Sequence, residues 1–404
     1  MNSVSNSAFS SALLPNLLEL ARTQRLALSD VMKFAEDFSG QGRLQEAAAL
    51  YKTWLAFNQN HPAAQMVYFN FSVLLRQLDD LAGSINAMQA ALKIDPMFGP
   101  AHINLGRAYE DSGLATMAIQ QWQSFANSAS ETTADRVSYR VMALQHIGRV
   151  MENAGLLEDA ETVLWQAMEI RPDKLETGQH WSAIRQRQCK WPVLTPSTHV
   201  SQRQMIDAMS PLTLGCYSDD PMFQLARDHD YNKGFVGRLD INKIPRPSVK
   251  QKTGTGARLR VGYVSSDLRD HAVGFALREV LELHDKSSVE IFAYYCGDPV
   301  AVDETQSRMK AVVDTWREIG ALTDEAAARQ IAADEIDILI DVNGYTKHAR
   351  TKIFGYRPAP VVVNFCGYPG SIGSPFHQYM IADAQIVPVE SEIYYSEKVL
   401  RIAC

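Results

Sequence analysis

Small and large apolar residues recur on a 34-residue period between residues 65 and 172, and no other feature restricts the fold of this chain as tightly. The segment GPAHINLGRAYEDSGLATMAIQQWQSFA, starting at Gly99, sets Leu105-Gly106, Tyr109, Ala118 and Trp122 at positions 7, 8, 11, 20 and 24. Shifting back by 34 gives a segment from Gln65 with Tyr68, Phe71, Leu75, Ser84 and Ala91, closed by Asp95-Pro96. From Val141 the pattern returns as Ile147-Gly148, Met151, Ala160, Leu164, Ala167 and Pro172. That step is 42 residues because the polar stretch SASETTADR is inserted. A weaker copy begins near Leu28, where GRLQEA (Gly42–Ala47) repeats the logic of GLLEDA (Gly155–Ala160). Each copy reads as two helices. Gly106, Gly148, Ala118 and Ala160 let the pair approach, larger residues fill the space between copies, and proline stops the second helix. Such an array is an α-solenoid with a concave surface suited to a peptide. Its ends are expected to be covered by Pro15–Arg25 and by the chain after Pro172.

This period and its residues resemble the tetratricopeptide repeat. Beyond Pro172 it stops, and GQHWSAIRQRQCKWPVL (Gly178–Leu194) predicts one more helix, ending at Trp191-Pro192. Polar loops, a helical piece around Pro221–His229 and the breaker-rich NKIPRPSVKQKTGTG follow, the last reading as a boundary. From Arg258 the texture changes. Strands are predicted at Leu259–Ser265, Val289–Tyr295, near Trp316–Ile319, at Ile336–Val342, Pro360–Phe365 and Tyr379–Asp383, with helices at Phe275–Leu283, Glu304–Asp314 and Ala326–Ala333. Alternating strands and helices, with strands apolar on both faces, indicate a Rossmann-like parallel sheet covered on two sides. The dinucleotide fingerprint is missing, because GTG at Gly254–Gly256 precedes the first strand, so NAD binding is disfavoured. The fold class is therefore α + α/β, with an N-terminal cap (1–27), repeats (28–174), a connector (175–255) and a Rossmann-like lobe (256–404).

Charge and cysteines narrow the setting. With 39 basic and 46 acidic residues the net charge is −7, which argues against nucleic acid or an anionic membrane as the main partner. Five widely spaced cysteines without C-x-x-C point to a reducing compartment and away from a zinc site. The N-terminus has no basic region ahead of its apolar residues, and no apolar run approaches 18 residues, so a cytoplasmic protein is expected.

Ligands of open α/β sheets gather at the carboxyl ends of the strands. Three such ends stand out: SSDLRDHAVGF with His271 between Asp267 and Asp270, DVNGYTKHAR (Asp341–Arg350), and GYPGSIGSP (Gly367–Pro375). Each has a plainer reading, as a surface His–Asp pair, a solvated loop with Thr346 capping a helix, or glycines needed only for tight turns. Asp228-His229-Asp230 resembles a D-x-D metal motif but falls in a helix, where i and i+2 point apart, and is expected at the surface. No Ser-His-Asp elbow, P-loop or H-E-x-x-H occurs.

LRVGYVSSDLRDHAVGF, DILIDVNGYTKHARTKIFGYRPAPVVVNFCGYPGSIGSPF and YYSEKVLRI, in this order behind tetratricopeptide repeats, resemble the O-linked N-acetylglucosamine transferase family, which includes the SPINDLY proteins. The resemblance implies that residues 256–404 form the first lobe of a GT-B glycosyltransferase. It implies an inverting, metal-independent enzyme without cofactor that moves a sugar from a nucleotide-sugar such as UDP-GlcNAc to Ser or Thr of a protein held along the repeat groove. It places His271 beside sugar and acceptor, with Asp267, Tyr345, Thr346, Lys347, Arg350, Gly367, Tyr368 and Pro369 as substrate contacts. Two departures accompany it: Ala272-Val273 stands where animal members have Pro-Thr, and DAMSPLTLGCYSDDP lacks the family's histidine-rich stretch. The family's second lobe, which supplies most nucleotide contacts, has no counterpart in these 404 residues. The chain as written is therefore expected to fold but to turn over no donor. UDP-GlcNAc, GDP-fucose and UDP-glucose all remain open as donors. The alternatives are a non-catalytic adaptor built on the repeats and a receiver-like phosphoacceptor using Asp267 and Asp341.

Overall fold

The computed structural model describes residues 4–128, 133–244, 258–297 and 303–403. Most of NKIPRPSVKQKTGTG, with Gly254–Gly256 and the 255/256 boundary, lies outside the described residues, as does part of SASETTADR. The chain divides into two compact units, Met1–Ala208 and Met209–Cys404.

The first unit is all helix: α1 (Val4–Arg22), α2 (Leu28–Gly40), α3 (Leu44–Phe57), α4 (Ala64–Gln77), α5 (Leu81–Ile94), α6 (Gly99–Asp111), α7 (Ala115–Ser128), α8 (Ala134–Asn153), α9 (Leu157–Ile170), α10 (Leu175–Arg187) and α11 (Gln202–Ala208). The pairs α2/α3, α4/α5, α6/α7 and α8/α9 are the four repeats, including the weak copy from Leu28. Their spacing has a direct steric cause. A methyl group on Gly106 would strike the buried Trp122 indole, and one on Gly148 would lie 2.6 Å from Leu164 Cγ. Positions 8 and 24 thus face each other, and only a small residue at 8 leaves room for a large one at 24. In the second repeat Ser72 takes position 8, and the Ser84 hydroxyl donates to its carbonyl at 2.8 Å. Position 15 closes the first helix of each pair in the left-handed region. Gly42, Gly113 and Gly155 sit there at φ 75–77°, and Asp79 occupies the same place at 59°.

Ion pairs join consecutive first helices. Arg76 of α4 meets Asp111 of α6, Arg149 of α8 grips Glu110 of α6 with both guanidinium nitrogens (2.9 and 2.6 Å), and Glu152 of α8 meets His180 (2.9 Å) and Arg187 (3.1 Å) of α10. His146 lies flat on Trp122, and burial, with Arg149 and Arg107 nearby, pushes its pKa down to about 4. At the two ends α1 buries Leu17 and Ala21 in the first repeat's core, and Trp181 of α10 packs on Trp165 of α9. α10 stops at Arg187, short of the expected Trp191-Pro192, where the chain turns through Cys189 at positive φ.

The second unit opens with α12 (Pro211–Gly215) and α13 (Pro221–Val236), which share the expected connector with α10 and α11 of the first unit. Then follow β1 (Leu259–Ser265), α14 (Ala272–Leu283), β2 (Val289–Tyr295), α15 (Glu304–Val312), β3 (Thr315–Glu318), α16 (Asp324–Ala333), β4 (Ile338–Asp341), α17 (Thr351–Gly355), β5 (Val361–Phe365), β6 (Tyr379–Ala382) and β7 (Lys398–Arg401). All pairings are parallel, in the order β3-β2-β1-β4-β5-β6-β7. Side chains alternate between two cores. Tyr263, Ala293, Ile340 and Val363 join Leu277 and Leu281 of α14 and Met309 of α15. Val264, Tyr294, Leu339 and Val362 join Ala327 and Ile331 of α16 and Ile353 and Phe354 of α17 on the opposite face. This is the doubly covered, Rossmann-like lobe that the continuous apolar strands predict.

Candidate active site

A parallel sheet brings every strand's carboxyl end to one edge. From β1 the chain winds to β2 and β3 on one side, then crosses to β4 and beyond on the other. The loops after β1 and β4 therefore diverge and leave a crevice at this switch point.

Asp341 ends β4 and organises its loop. Its buried carboxylate accepts from the backbone N–H of Asn343 (3.0 Å) and Gly344 (2.9 Å), and its second oxygen faces His377 Nε2 at 3.1 Å. His377 is buried against the Phe354 ring. Asn343, also buried, ties the β4 loop to the β1 loop. Its Oδ1 accepts from Ser266 N–H (2.8 Å), and its Nδ2 lies 3.0 Å from Ser266 Oγ, 2.9 Å from Asp267 Oδ2 and 3.0 Å from Thr346 Oγ1. Ser266 Oγ also reaches the Lys347 carbonyl at 3.4 Å. Asp267, Thr346 and the Lys347 backbone are thus gathered on one amide side chain, while the Lys347 side chain is exposed.

His271 caps α14, its Nδ1 accepting from Val273 N–H at 3.3 Å and standing 3.9 Å from Asp267 Oδ2. Thr346 starts no helix; its hydroxyl donates to the Asn343 carbonyl within a turn, and α17 begins only at Thr351. Arg350 is not brought to this cluster. Its guanidinium holds Asp324 Oδ1 at 2.5 Å and the carbonyls of Ile319 and Leu322, tethering the loop between β3 and α16.

Tyr345 and Tyr368 are buried side by side. Their rings meet edge-on at 5.5 Å, and Tyr231 of α13 meets Tyr345 at 5.1 Å. The Tyr345 hydroxyl donates to the Ile372 carbonyl (2.5 Å) and accepts from Asn232 Nδ2 (2.8 Å). Burial pushes both phenol pKa values above their ordinary range. A side chain on Gly367 would run into the Val342 carbonyl, so the β5 loop can lie on the β4 loop only with glycine there. Pro369 is exposed, and its carbonyl accepts from Tyr395 OH at 3.2 Å.

Asp228 departs from the surface placement expected for D-H-D. His229 and Asp230 are exposed, but Asp228 is 4% exposed. It lines a pocket of about 380 Å³ with Tyr368, Pro369, Ser371, Tyr394 and Tyr395. Burial first, then the neighbouring Glu397, raises its pKa to about 8, with Arg227 opposing. Glu397 is itself buried, accepting from Ile372 N–H (2.7 Å) and the hydroxyls of Ser371 (2.8 Å) and Ser396 (3.0 Å). The signal for Asp228 was available in α13, where Asp228, Asn232 and Val236 share one face at i, i+4 and i+8. His377 and Asn343 had no such signal.

The sequence model "Glycosyl transferase family 41" matches residues 238–403, and a tetratricopeptide-repeat model matches 67–96. A UDP-N-acetylglucosamine–peptide N-acetylglucosaminyltransferase of Caenorhabditis elegans is 37% identical over 166 residues, 40% of this chain and 14% of that protein. The "Probable UDP-N-acetylglucosamine--peptide N-acetylglucosaminyltransferase SEC" of Arabidopsis thaliana is 31% identical over 206 residues, 49% of this chain and 21% of its own length. The chain thus matches about a fifth or less of these relatives. A solved O-GlcNAc transferase mutant from Thermobaculum terrenum shares the fold, with TM-score 0.52 and 24% identity over 85% of this chain and 58% of that one. The loops that carry Asp267, His271, Asn343 and Gly367 all fall within the matched 238–403 segment. Residues 238–403 are thus similar to glycosyl transferase family 41 and to these O-GlcNAc transferase relatives, and residues 67–96 to the tetratricopeptide repeat.

Proposed function

We propose that this protein is an inverting, metal-independent protein O-glycosyltransferase that moves a sugar, GlcNAc before fucose or glucose, from a nucleotide-sugar to a Ser or Thr hydroxyl. The observation that carries the reading is the Asn343 network, which fixes the loops of Asp267, His271 and Thr346 at the one edge where a doubly wound sheet accepts a ligand. In the reaction the acceptor oxygen attacks the anomeric carbon as the nucleoside diphosphate departs, and groups aimed at the developing charge supply the rate. A neutral His271 that accepts at Nδ1 carries its proton on Nε2. So held, it donates a hydrogen bond to a ligand oxygen and does not act as the base. Asp267, Thr346 and Lys347 are the proposed contacts beside it, with Gly367, Tyr368 and Pro369 forming the adjoining wall. The protein acceptor is proposed to lie along the first helices of the repeats.

No helix among the described residues is long and apolar enough to cross a membrane. We place the protein in the cytoplasm, where cysteines such as Cys189, Cys216, Cys296 and Cys366, all free, stay reduced.

The test is sugar transfer by the protein expressed from its natural reading frame, with UDP-GlcNAc, GDP-fucose and UDP-glucose and with EDTA present. Label on Ser or Thr of lysate proteins, with inversion at the anomeric carbon, is the expected result. Absence of transfer from every donor would favour the adaptor, and loss of transfer in EDTA would remove metal independence.

A further inference from the structure

The seams between consecutive second helices of the repeats are closed in different ways. At the seam of α5 and α7, Ile85 packs on the core, and the Gln89 amide donates to the Tyr109 hydroxyl of α6 at 3.1 Å. Ile119 of α7 packs likewise at the seam of α7 and α9. Counting from the small residue at position 20, Ile85 and Ile119 stand at position 21, and Gln89 stands at position 25. In the first repeat these two places hold Ala48 and Lys52. Facing them, Gly83 of α5 stands where α7 has Met117. The small residues leave a groove of about 580 Å³ between α3 and α5, floored by Tyr68, Phe71 and Leu75 of α4. That volume lies inside the range of binding pockets, roughly 300 to 1,000 Å³.

Size opens this groove, and charge selects what fits it. Lys52 and Asp80 line its two ends, and both are exposed without an ion-pair partner among the described residues. Asp80 accepts from Gly83 N–H at 2.8 Å with one carboxylate oxygen, which leaves the other for a ligand. In repeat numbering Asp80 stands at position 16 and Lys52 at position 25. Nine steps along second helices that run side by side, at 1.5 Å each, put the two charges about 13 Å apart along the groove. An extended peptide covers about 13 Å in four residues, and its side chains at i, i+2 and i+4 point to one face. A basic residue at one end and an acidic residue four positions away therefore meet Asp80 and Lys52 together. The side chain midway between them then points at the floor. The molecule itself fills the matching place of its next two seams with isoleucine, so an aliphatic anchor of that shape suits the first.

We propose that the groove between α3 and α5 docks an extended segment of a partner protein in which an isoleucine lies midway between a basic and an acidic residue four positions apart. The proposal goes beyond the transferase reading and does not rest on it. The probe is the peptide Lys-Ala-Ile-Ala-Glu, capped at both ends and free of Ser and Thr. Saturation-transfer NMR is run on the whole chain at about 20 µM with the peptide at about 1 mM, the affinity that one aliphatic anchor and two exposed ion pairs supply. The isoleucine methyl groups are expected to be the most strongly saturated peptide protons, and replacing the peptide's isoleucine by alanine removes the signal. Ala48→Ile gives the first repeat the side chain that Ile85 and Ile119 supply to the next two seams. It is expected to fold and to cut the signal at least about fivefold by filling the groove. Lys52→Glu, at an exposed position, is expected to cut it about threefold, as is raising salt to about 0.5 M. This second variant decides the matter if Ala48→Ile does not fold. The proposal is overturned if the alanine peptide is saturated as strongly as the isoleucine one, or if the signal survives in folded Ala48→Ile or is unchanged in Lys52→Glu. It is also overturned if sedimentation shows the chain to be a dimer that Ala48→Ile converts to a monomer, since a second copy then covers the groove.

Discussion

Asp228→Asn removes a charge that the 209–404 unit must bury as pH rises. In the unfolded chain the carboxyl titrates at its ordinary 3.8; in the folded unit burial and Glu397 raise it to about 8. A folded pKa above the unfolded one means the folded form holds the proton more tightly. The favourable contribution is complete below about pH 4 and is lost progressively as pH rises through 8. Over that window the native state binds up to one proton more than the unfolded state, and stability falls by about 1.4 kcal/mol per pH unit. Three units, from pH 4 to pH 7, set a ceiling of about 4 kcal/mol. Asparagine has no such titration, so the variant should lie within about 1 kcal/mol of the parent at pH 4.5 and exceed it by about 2–4 kcal/mol at pH 7.5. Hydrogen exchange of peptides covering β1, β4 and β5, corrected for intrinsic rates, reads this difference within the unit that contains Asp228. An equal gap at both pH values would make the effect steric, and a parent more stable than the variant at pH 7.5 would refute the argument outright.

Gly148→Ala tests the packing rule of the repeats, because helix propensity alone predicts stabilisation of up to about 1 kcal/mol whereas overpacking against Leu164 at 2.6 Å costs about 1–3. We expect a net loss of about 1–2 kcal/mol, visible as a lower melting temperature by tryptophan fluorescence, since Trp316 alone of the six tryptophans lies outside residues 1–208. A raised melting temperature would show that positions 8 and 24 do not oppose each other. Asn343→Ala strips the partner from the buried Ser266 N–H and from Asp267, for a loss of about 2–4 kcal/mol at about 1–3 per orphaned group. Faster exchange over 266–271 and 343–347 should accompany it; unchanged exchange there would mean the two loops hold themselves.

The repeats were legible because their steric rule is written in residue size. Gly106 with Trp122 and Gly148 with Leu164 are visible as a spacing before any coordinate exists. The sheet was legible for a related reason, as strands such as Ile338–Asp341 are buried on both faces and carry no polar interruption. The site was legible only in part. Asp267, His271, Thr346 and Lys347 lie where strand ends place ligand loops, but the residue that binds those loops together, Asn343, has no periodicity to announce it. Asp228 was misread because the i, i+2 argument applies to the pair and not to each member, so one of the two aspartates could still face inward. Hydrophobic patterning finds faces that are buried and apolar; it passes over Asp228–Asn232 and Asp341–His377, whose burial is satisfied by specific partners or awaits one.

The bonds that hold the helical array together, within a repeat and between repeats, are of two kinds. Close-packed contacts such as Gly148 on Leu164 are dry and respond little to dissolved ions. Bridges such as Arg149 to Glu110 and Arg187 to Glu152 are partly exposed and are weakened by screening. An array assembled from both therefore holds one set of contacts that salt leaves alone and another that salt weakens. Raising ionic strength is expected to loosen the coupling between first helices while the packing inside each helix pair holds.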